Sequence, residues 1–115
     1  MALEYKLLLH NLSCFLSDEG TDEVYLTYRG EKIWPLNEKF TPMKAGSTAN
    51  VELEISILKG ATASVELWES DTFSKDDNLG KFLLEADKIG GPYTTDMIKA
   101  DKGKSKYGLT WEVGS

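Results

Sequence analysis

The stretch Val51-Glu52-Leu53-Glu54-Ile55-Ser56-Ile57 decides the fold class of this chain, because apolar and polar residues alternate through it almost without a break. Side chains on a β-strand point to opposite faces in turn, so the stretch predicts a strand with one apolar and one solvated face. The same period of two recurs in four further stretches. They cover residues 3–9, 24–28, 63–67 and 107–113.

Turn residues separate these stretches. Arg29-Gly30-Glu31 and Lys59-Gly60 are typical of tight hairpin turns, and Gly90-Gly91-Pro92 interrupts any regular element. No long window carries the apolar stripe of a helix, and the one helical candidate is a single turn at 95–99.

With shorter strands at 32–34 and 81–84, the pattern predicts an all-β fold: an antiparallel β-sandwich of seven or eight strands, with residues 1–115 as a single domain. The inward positions of the alternation predict its core. These are Leu7, Leu26, Leu53, Ile55, Val65, Leu67, Leu109 and Trp111.

Composition restricts the function. The 115 residues include 13 Lys and Arg against 19 Asp and Glu, a net charge of −6, which disfavours nucleic acid as a partner because its phosphates attract Lys and Arg. Cys14 is the only cysteine and His10 the only histidine, so neither an internal disulfide nor a zinc cluster is expected. No leader of a basic and then an apolar stretch is seen, and no apolar run approaches the roughly 20 residues of a membrane span. We expect a soluble protein, cytoplasmic or peripheral to a membrane.

Acidic residues are concentrated in two loop regions. If successive strands run up and down, loops 10–22, 35–49 and 70–79 share one end of the sandwich, and the tight turns near 30 and 60 share the other. The acidic residues of the first and third loop regions then meet. They are Asp18, Glu19, Asp22 and Glu23 in the first, and Glu69, Asp71, Asp76 and Asp77 in the third.

Crowded carboxylates repel one another, and a hard cation bound between them offsets this repulsion because it attracts each carboxylate. Calcium takes six to eight oxygen ligands and tolerates irregular geometry. Glu69 and Asp71 are two residues apart and point the same way on an extended segment, while Asp77 follows six residues later. These residues are candidate calcium ligands. The alternative is a solvated acidic loop that binds nothing specifically.

Residues 67–80, Leu-Trp-Glu-Ser-Asp-Thr-Phe-Ser-Lys-Asp-Asp-Asn-Leu-Gly, resemble without a gap the third calcium loop of C2 domains. Residues 22–26 resemble the start of the strand that follows that family's first calcium loop. The resemblance implies an eight-stranded C2-like β-sandwich that binds calcium and, through it, anionic phospholipid. It assigns four ligand positions, which are Asp22, Glu69, Asp71 and Asp77.

This chain departs from the C2 pattern at two places. Glu69 stands where the family has Asp, so this ligand is one methylene longer. The first loop is shorter than usual, and the upstream Asp of the family has no counterpart in register. Asp18 is the nearest candidate for that position, and Asp76 is a further candidate ligand.

Apolar residues accompany the acidic loops. Phe15 and Leu16 are expected in the first loop and Phe73 at the crest of the third. In lipid-binding C2 domains such residues insert between headgroups, so these three are candidate contacts to a membrane or a partner. The alternative for Phe15 or Phe73 is to fold back as a lid on the core.

The sequence thus predicts a binding module and not an enzyme, with calcium between the first and third loops facing an anionic membrane or an acidic partner. One alternative is a metal-free protein-interaction or structural module of a larger assembly. A weaker one is a small hydrolase that uses its clustered carboxylates, although few catalytic groups are present.

Overall fold

The computed structural model describes residues 3–100 and 103–115, and these residues form ten β-strands and no helix. Within them, therefore, no helix is long and apolar enough to cross a membrane. The strands are β1 Glu4–Leu16, β2 Asp22–Tyr28, β3 Glu31–Trp34, β4 Thr41–Met43, β5 Thr48–Leu58, β6 Thr62–Glu69, β7 Asp77–Glu85, β8 Gly90–Asp96, β9 Ile98–Lys99 and β10 Lys106–Gly114.

The strands form two antiparallel sheets, which confirms the predicted β-sandwich. The first sheet has the order β5-β1-β10-β8, and the second has the order β3-β2-β6-β7-β9, with β4 also paired to β2. The strand count is ten and not seven or eight. The additional strands are short or lie at sheet edges, where few apolar side chains are needed and the alternation that identifies a strand is weak.

The helical turn predicted at 95–99 is wrong. Residues up to Asp96 belong to β8, which pairs with β10, and Ile98–Lys99 form β9, which pairs with β7. Between them, the Met97 N–H donates to the Tyr107 carbonyl at 3.0 Å. Pairing with two different sheets supplies the backbone hydrogen bonds that a local helix would otherwise make.

The core lies between the inner faces of the two sheets. Seven of the eight predicted core residues are buried, and the eighth, Leu53, is half-buried and packs against the others. Alternate side chains of β6 from Ala63 to Leu67, and of β10 from Tyr107 to Val113, reach the core.

The first strand is longer than the sequence predicts, because a β-bulge at His10 shifts its register. Leu7 and Leu9 face the core before the bulge, and Leu12 and Cys14 face it after the bulge. The extra residue restores the inward direction of the apolar side chains. The first loop is therefore 17–21, and the prediction of a loop at 10–22 is wrong.

The acidic loops lie at one end of the sandwich, as the loop parity predicts. Val24 pairs with Glu69, and the Ser70 N–H donates to the Glu23 carbonyl at 2.7 Å, which brings loops 17–21 and 70–76 together. Segment 44–47 lies at the same end, because the Gly46 N–H donates to the Cys14 carbonyl at 2.8 Å. Segment 35–40 lies instead along the edge of β2, between β3 and β4.

Candidate functional site

Asp22, the first residue of β2, is fully buried and organises the first acidic loop. Its carboxylate accepts hydrogen bonds from the backbone N–H groups of Asp18, at 3.0 Å, and Glu19, at 3.1 Å. It also accepts one from the Tyr107 hydroxyl at 2.7 Å. A buried carboxylate needs such donors to remain charged. These three occupy both oxygens, so Asp22 closes loop 17–21 upon itself.

Glu69, the last residue of β6, is buried beside this carboxylate. Burial, then the negative charges of Asp22 and Glu19, raise the pKa of Glu69 from its ordinary value near 4.5 to about 7. Glu69 therefore exchanges a proton near neutral pH. Both the burial of Glu69 and the neighbouring negative charges disfavour its ionised form.

Asp71 and Asp76 shape the second acidic loop. Asp71 Oδ1 accepts from the N–H groups of Phe73, at 2.9 Å, and Ser74, at 3.2 Å. Its Oδ2 accepts from the Ser74 hydroxyl at 2.8 Å. Donation from the Phe73 N–H and then from the Ser74 hydroxyl holds the pKa of Asp71 below its usual range. The carboxylate thus closes a turn within loop 70–76.

Asp76 ties that loop to β2. Its Oδ2 accepts from the Tyr25 hydroxyl at 2.6 Å, and its Oδ1 accepts from the Asp71 N–H at 2.9 Å. The Tyr25 hydroxyl and then the Asp71 N–H lower the pKa of Asp76. Burial and the bond to Asp76 raise the pKa of Tyr25 to about 12. Both carboxylate oxygens of Asp76 are therefore engaged in hydrogen bonds that stabilise loop 70–76.

An open acidic pocket of about 320 Å³ lies between the two loops. Three of the six predicted metal ligands line it, namely Glu69, Asp71 and Asp77. The other three are not among its lining residues: Asp22 and Asp76 are engaged as above, and Asp18 accepts from the Lys104 N–H at 3.1 Å. The remaining lining residues are Glu19, Glu23, Ser70, Thr72 and Phe73.

Glu19 and Glu23 belong to this acidic pocket but were not predicted as ligands. The sequence places both in the first acidic loop region, but not whether their side chains face the second loop. Pairing of β2 with β6 settles that point, because it brings Glu23 beside Ser70.

The carboxylates are not gathered around a single point. Within residues 3–100 and 103–115, no group of three or more His, Cys, Asp or Glu side chains is arranged to hold a metal ion. Asp22, Asp71 and Asp76 bind hydrogen-bond donors of their own loops instead.

The three predicted apolar tips occupy different places. Phe73 lies at the crest of loop 70–76, and its side chain is 97% exposed. Phe15 and Leu16 are the last residues of β1, so their prediction as loop residues is wrong. The Phe15 ring lies over Gly108 of β10, where a Cβ atom would be only 2.9 Å from the ring. Only Phe73 projects from a loop beside the acidic pocket.

Cys14 is the one nucleophile of thiol type in the chain, and it is buried in the core. Burial raises the pKa of its thiol, which outweighs the hydrogen bond with Tyr107 that lowers it. A thiol in this environment is unreactive.

No protein-family model matches this chain, and no curated protein matches it. The resemblance to C2 domains therefore depends on residues 22–26 and 67–80, interpreted within the β-sandwich described above.

Proposed function

We propose that this chain is a non-enzymatic binding module that resembles C2 domains, and that loops 17–21 and 70–76 bind calcium. One observation carries the proposal: Glu69, Asp71 and Asp77 line a single pocket together with Glu19 and Glu23. No basic side chain is among the described residues that line this pocket. A hard divalent cation has a charge and a preference for oxygen that suit such a lining. Because the described carboxylates are not gathered around one point in this structure, the two loops would have to close on the ion as it binds.

The chemistry of Glu69 supports a cation in this place. Burial first, and then the negative charges of Asp22 and Glu19, raise its pKa, so the protein stabilises the ionised form of Glu69 poorly. Calcium would bind the ionised form of Glu69, displace its proton to solvent and offset the repulsion from Asp22 and Glu19. Asp71 would contribute Oδ2, which accepts only the Ser74 hydroxyl, without opening the turn that Oδ1 closes.

The proposed partner of the calcium-bound module is an anionic phospholipid surface. Phe73 projects beside the pocket with almost its whole side chain in solvent, so contact with a second surface would bury nearly all of the ring. A cation in the pocket would bridge to lipid phosphate while the Phe73 ring enters the interface.

Metal-free recognition of a basic protein segment is the second candidate. It is favoured by the hydrogen bonds that already occupy Asp22, Asp71 and Asp76, since these carboxylates need no ion to hold the loops in shape. Lys and Arg side chains of a partner would then enter the open part of the acidic pocket and pair with its carboxylates.

Thermal unfolding with millimolar calcium or with a chelator tests the first proposal. Binding at a hundred times the dissociation constant adds about 2.7 kcal/mol to native stability, and each kcal/mol raises the melting temperature by roughly 4–8 °C in a small domain. We expect calcium to raise the midpoint by several degrees, and Asp77→Asn to remove that rise. Glu31→Gln, an exposed carboxylate of β3, is the matched control and should retain it.

Magnesium at the same concentration separates specific coordination from general charge screening, because it demands near-octahedral geometry and dehydrates reluctantly. Equal shifts with both ions would indicate screening and contradict a calcium site. If calcium has no effect, binding of an oligolysine peptide in the presence of chelator would support the metal-free candidate. If calcium causes no thermal shift and oligolysine does not bind, the proposal that this pocket is a binding site is wrong.

A further inference from the structure

The opposite side of the sandwich contains a groove between the edges of the two sheets. Strand β8 is the edge of the first sheet, and β9 covers only Gly80 and Lys81 of β7, so the rest of β7 is an edge of the second sheet. The groove between these edges has a volume of about 560 Å³, within the range of ~300–1,000 Å³ typical of small-ligand sites. Its lining residues are Thr62, Leu83, Glu85, Asp87, Lys88, Tyr93, Thr95 and Trp111.

Two aromatic rings form a fixed corner in this groove. The rings of Trp111 and Tyr93 lie 5.1 Å apart between centroids and are tilted by 50°. The Trp111 indole N–H donates to Thr95 Oγ1 at 2.8 Å, which holds the indole in place. Trp111 is 6% exposed and forms the base of the corner, whereas Tyr93 is 40% exposed and forms its open wall.

Gly90 sets the position of that wall. A Cβ atom at residue 90 would lie 2.6 Å from the Tyr93 hydroxyl oxygen, so the phenol ring reaches back over a residue that has no side chain. An alanine at residue 90 would collide with the hydroxyl end of Tyr93. Because this side chain can rotate, the phenol ring would move aside.

Polar groups of both kinds surround the apolar corner. Glu85 and Asp87 supply hydrogen-bond acceptors, Lys88 supplies donors, and the hydroxyls of Thr62 and Tyr93 can do either. Apart from Leu83, the rim is polar. The groove therefore combines a small aromatic surface with a ring of mixed donors and acceptors.

We propose that this groove binds a neutral saccharide. A pyranose ring has an apolar C–H face that packs on an aromatic side chain, and hydroxyl groups around its edge that both donate and accept hydrogen bonds. The aromatic corner of the groove matches the apolar face of the sugar, and the polar rim matches its hydroxyl groups. Because Glu85 and Asp87 outnumber Lys88 beside the aromatic rings, an organic cation is the competing occupant, and the test includes one. The site is independent of the proposed calcium site, since the two share no lining residue and lie at opposite ends of β6 and β7.

Amide and indole NMR spectra of the intact chain test this inference. The probes are neutral gluco-, xylo-, manno- and chito-oligosaccharides, each added to millimolar concentration. We expect at least one of them to shift the Trp111 indole N–H resonance in a saturable manner. Trp34 and Trp68 provide internal references, because neither lines the groove.

Variants assign the binding to the aromatic corner. Tyr93→Ala should weaken it at least tenfold, and Gly90→Ala, which removes no lining group but displaces the Tyr93 ring, should weaken it severalfold. Leu36→Ala is the control, because this exposed side chain lies in segment 35–40 and does not line the groove. Dispersed amide spectra of each variant establish that it is folded.

The proposal is overturned if no saccharide of the panel shifts the Trp111 indole resonance, or if Tyr93→Ala and Gly90→Ala bind as well as the unmodified chain. Saturable shifts caused by tetramethylammonium or by an extended peptide, without any caused by the saccharides, would assign a different occupant and overturn it as well.

Discussion

The Tyr107 hydroxyl donates a hydrogen bond of 2.7 Å to Asp22 Oδ2, and both side chains are buried. This bond joins β10 of the first sheet to the first residue of β2 in the second, directly beneath the acidic loops. Burial, then the contacts with Cys14 and Asp22, raise the pKa of Tyr107, which therefore remains a donor at any physiological pH. Tyr107 thus holds the Asp22 carboxylate, and this carboxylate in turn holds the backbone of loop 17–21.

Replacement of Tyr107 by Phe is expected to lower the free energy of unfolding by about 1–3 kcal/mol, because the buried Asp22 carboxylate loses a donor and is left partly unsatisfied. Urea denaturation measures this change. Tyr5→Phe, at a half-buried tyrosine of β1, is the control and should cost less. A loss for Tyr107→Phe no larger than that of the control would show that Asp22 does not depend on this hydroxyl.

The regular strands of the fold are predictable from the sequence, but its interruptions are not. The alternation along residues 51–57 and 107–113 identifies strands because each has one face in the core. At His10 the same alternation breaks, and the break resembles the end of a strand. Only pairing with β5 and β10 shows that it is a bulge. Strand β8 was not predicted, because most of its side chains are exposed and its sequence does not alternate between apolar and polar residues.

Replacement of Glu69 by Gln is expected to make stability less dependent on pH. The pKa of Glu69 is about 7 in the native state, against about 4.5 ordinarily, so the native state binds more protons than the unfolded state between these values. The free energy of unfolding then falls as pH rises through this window, by up to about 3 kcal/mol. Glu69→Gln removes this penalty and should be more stable than the unmodified chain at pH 8 without calcium.

Chemical denaturation at a series of pH values between 4.5 and 8 measures this dependence. The stability gained by Glu69→Gln should grow from pH 4.5 to about pH 7 and level off above it. Glu31→Gln controls for the change in net charge. A gain that is constant with pH would mean that Glu69 is not the group that titrates.

The sequence predicts which acidic residues lie near the pocket, but it does not predict which of their carboxylates are free to bind a ligand. Glu69, Asp71 and Asp77, which the sequence offers as calcium ligands, line one pocket, and their binding of an ion stays a prediction. The sequence does not show which carboxylates the loops use themselves, because an Asp that closes a turn and an Asp that binds an ion are the same residue type. Asp22 and Asp76 accept hydrogen bonds from the distant side chains of Tyr107 and Tyr25, and also from backbone N–H groups of their own loops.

Replacement of Gly80 by Ala is expected to destabilise the second sheet. Gly80 has φ of +155°, and a Cβ atom there would lie 2.4 Å from the Ile98 carbonyl oxygen and 2.8 Å from Met97 Cγ. The clash with backbone cannot be relieved by a rotamer change, so we expect a loss of about 2–3 kcal/mol and separation of β9 from β7. Gly20→Ala, which has no neighbour within 4 Å, should change stability by less than about 0.5 kcal/mol. Urea denaturation and amide hydrogen exchange at Lys99 measure the two effects.

Replacement of Phe73 by Ala tests whether the exposed ring contacts a membrane. If calcium brings the loop end to an anionic surface, part of the burial energy of a Phe side chain, about 1.5–3 kcal/mol when complete, is lost in the variant. Cosedimentation with phosphatidylserine-containing vesicles should then show binding that requires calcium and is weakened about tenfold by Phe73→Ala. Leu58→Ala, an equally apolar exposed residue at the end of β5 far from these loops, is the matched control. Vesicle binding that is equally strong in Phe73→Ala would exclude insertion of this ring, and a lack of binding at saturating calcium would leave a protein as the partner of the acidic loops.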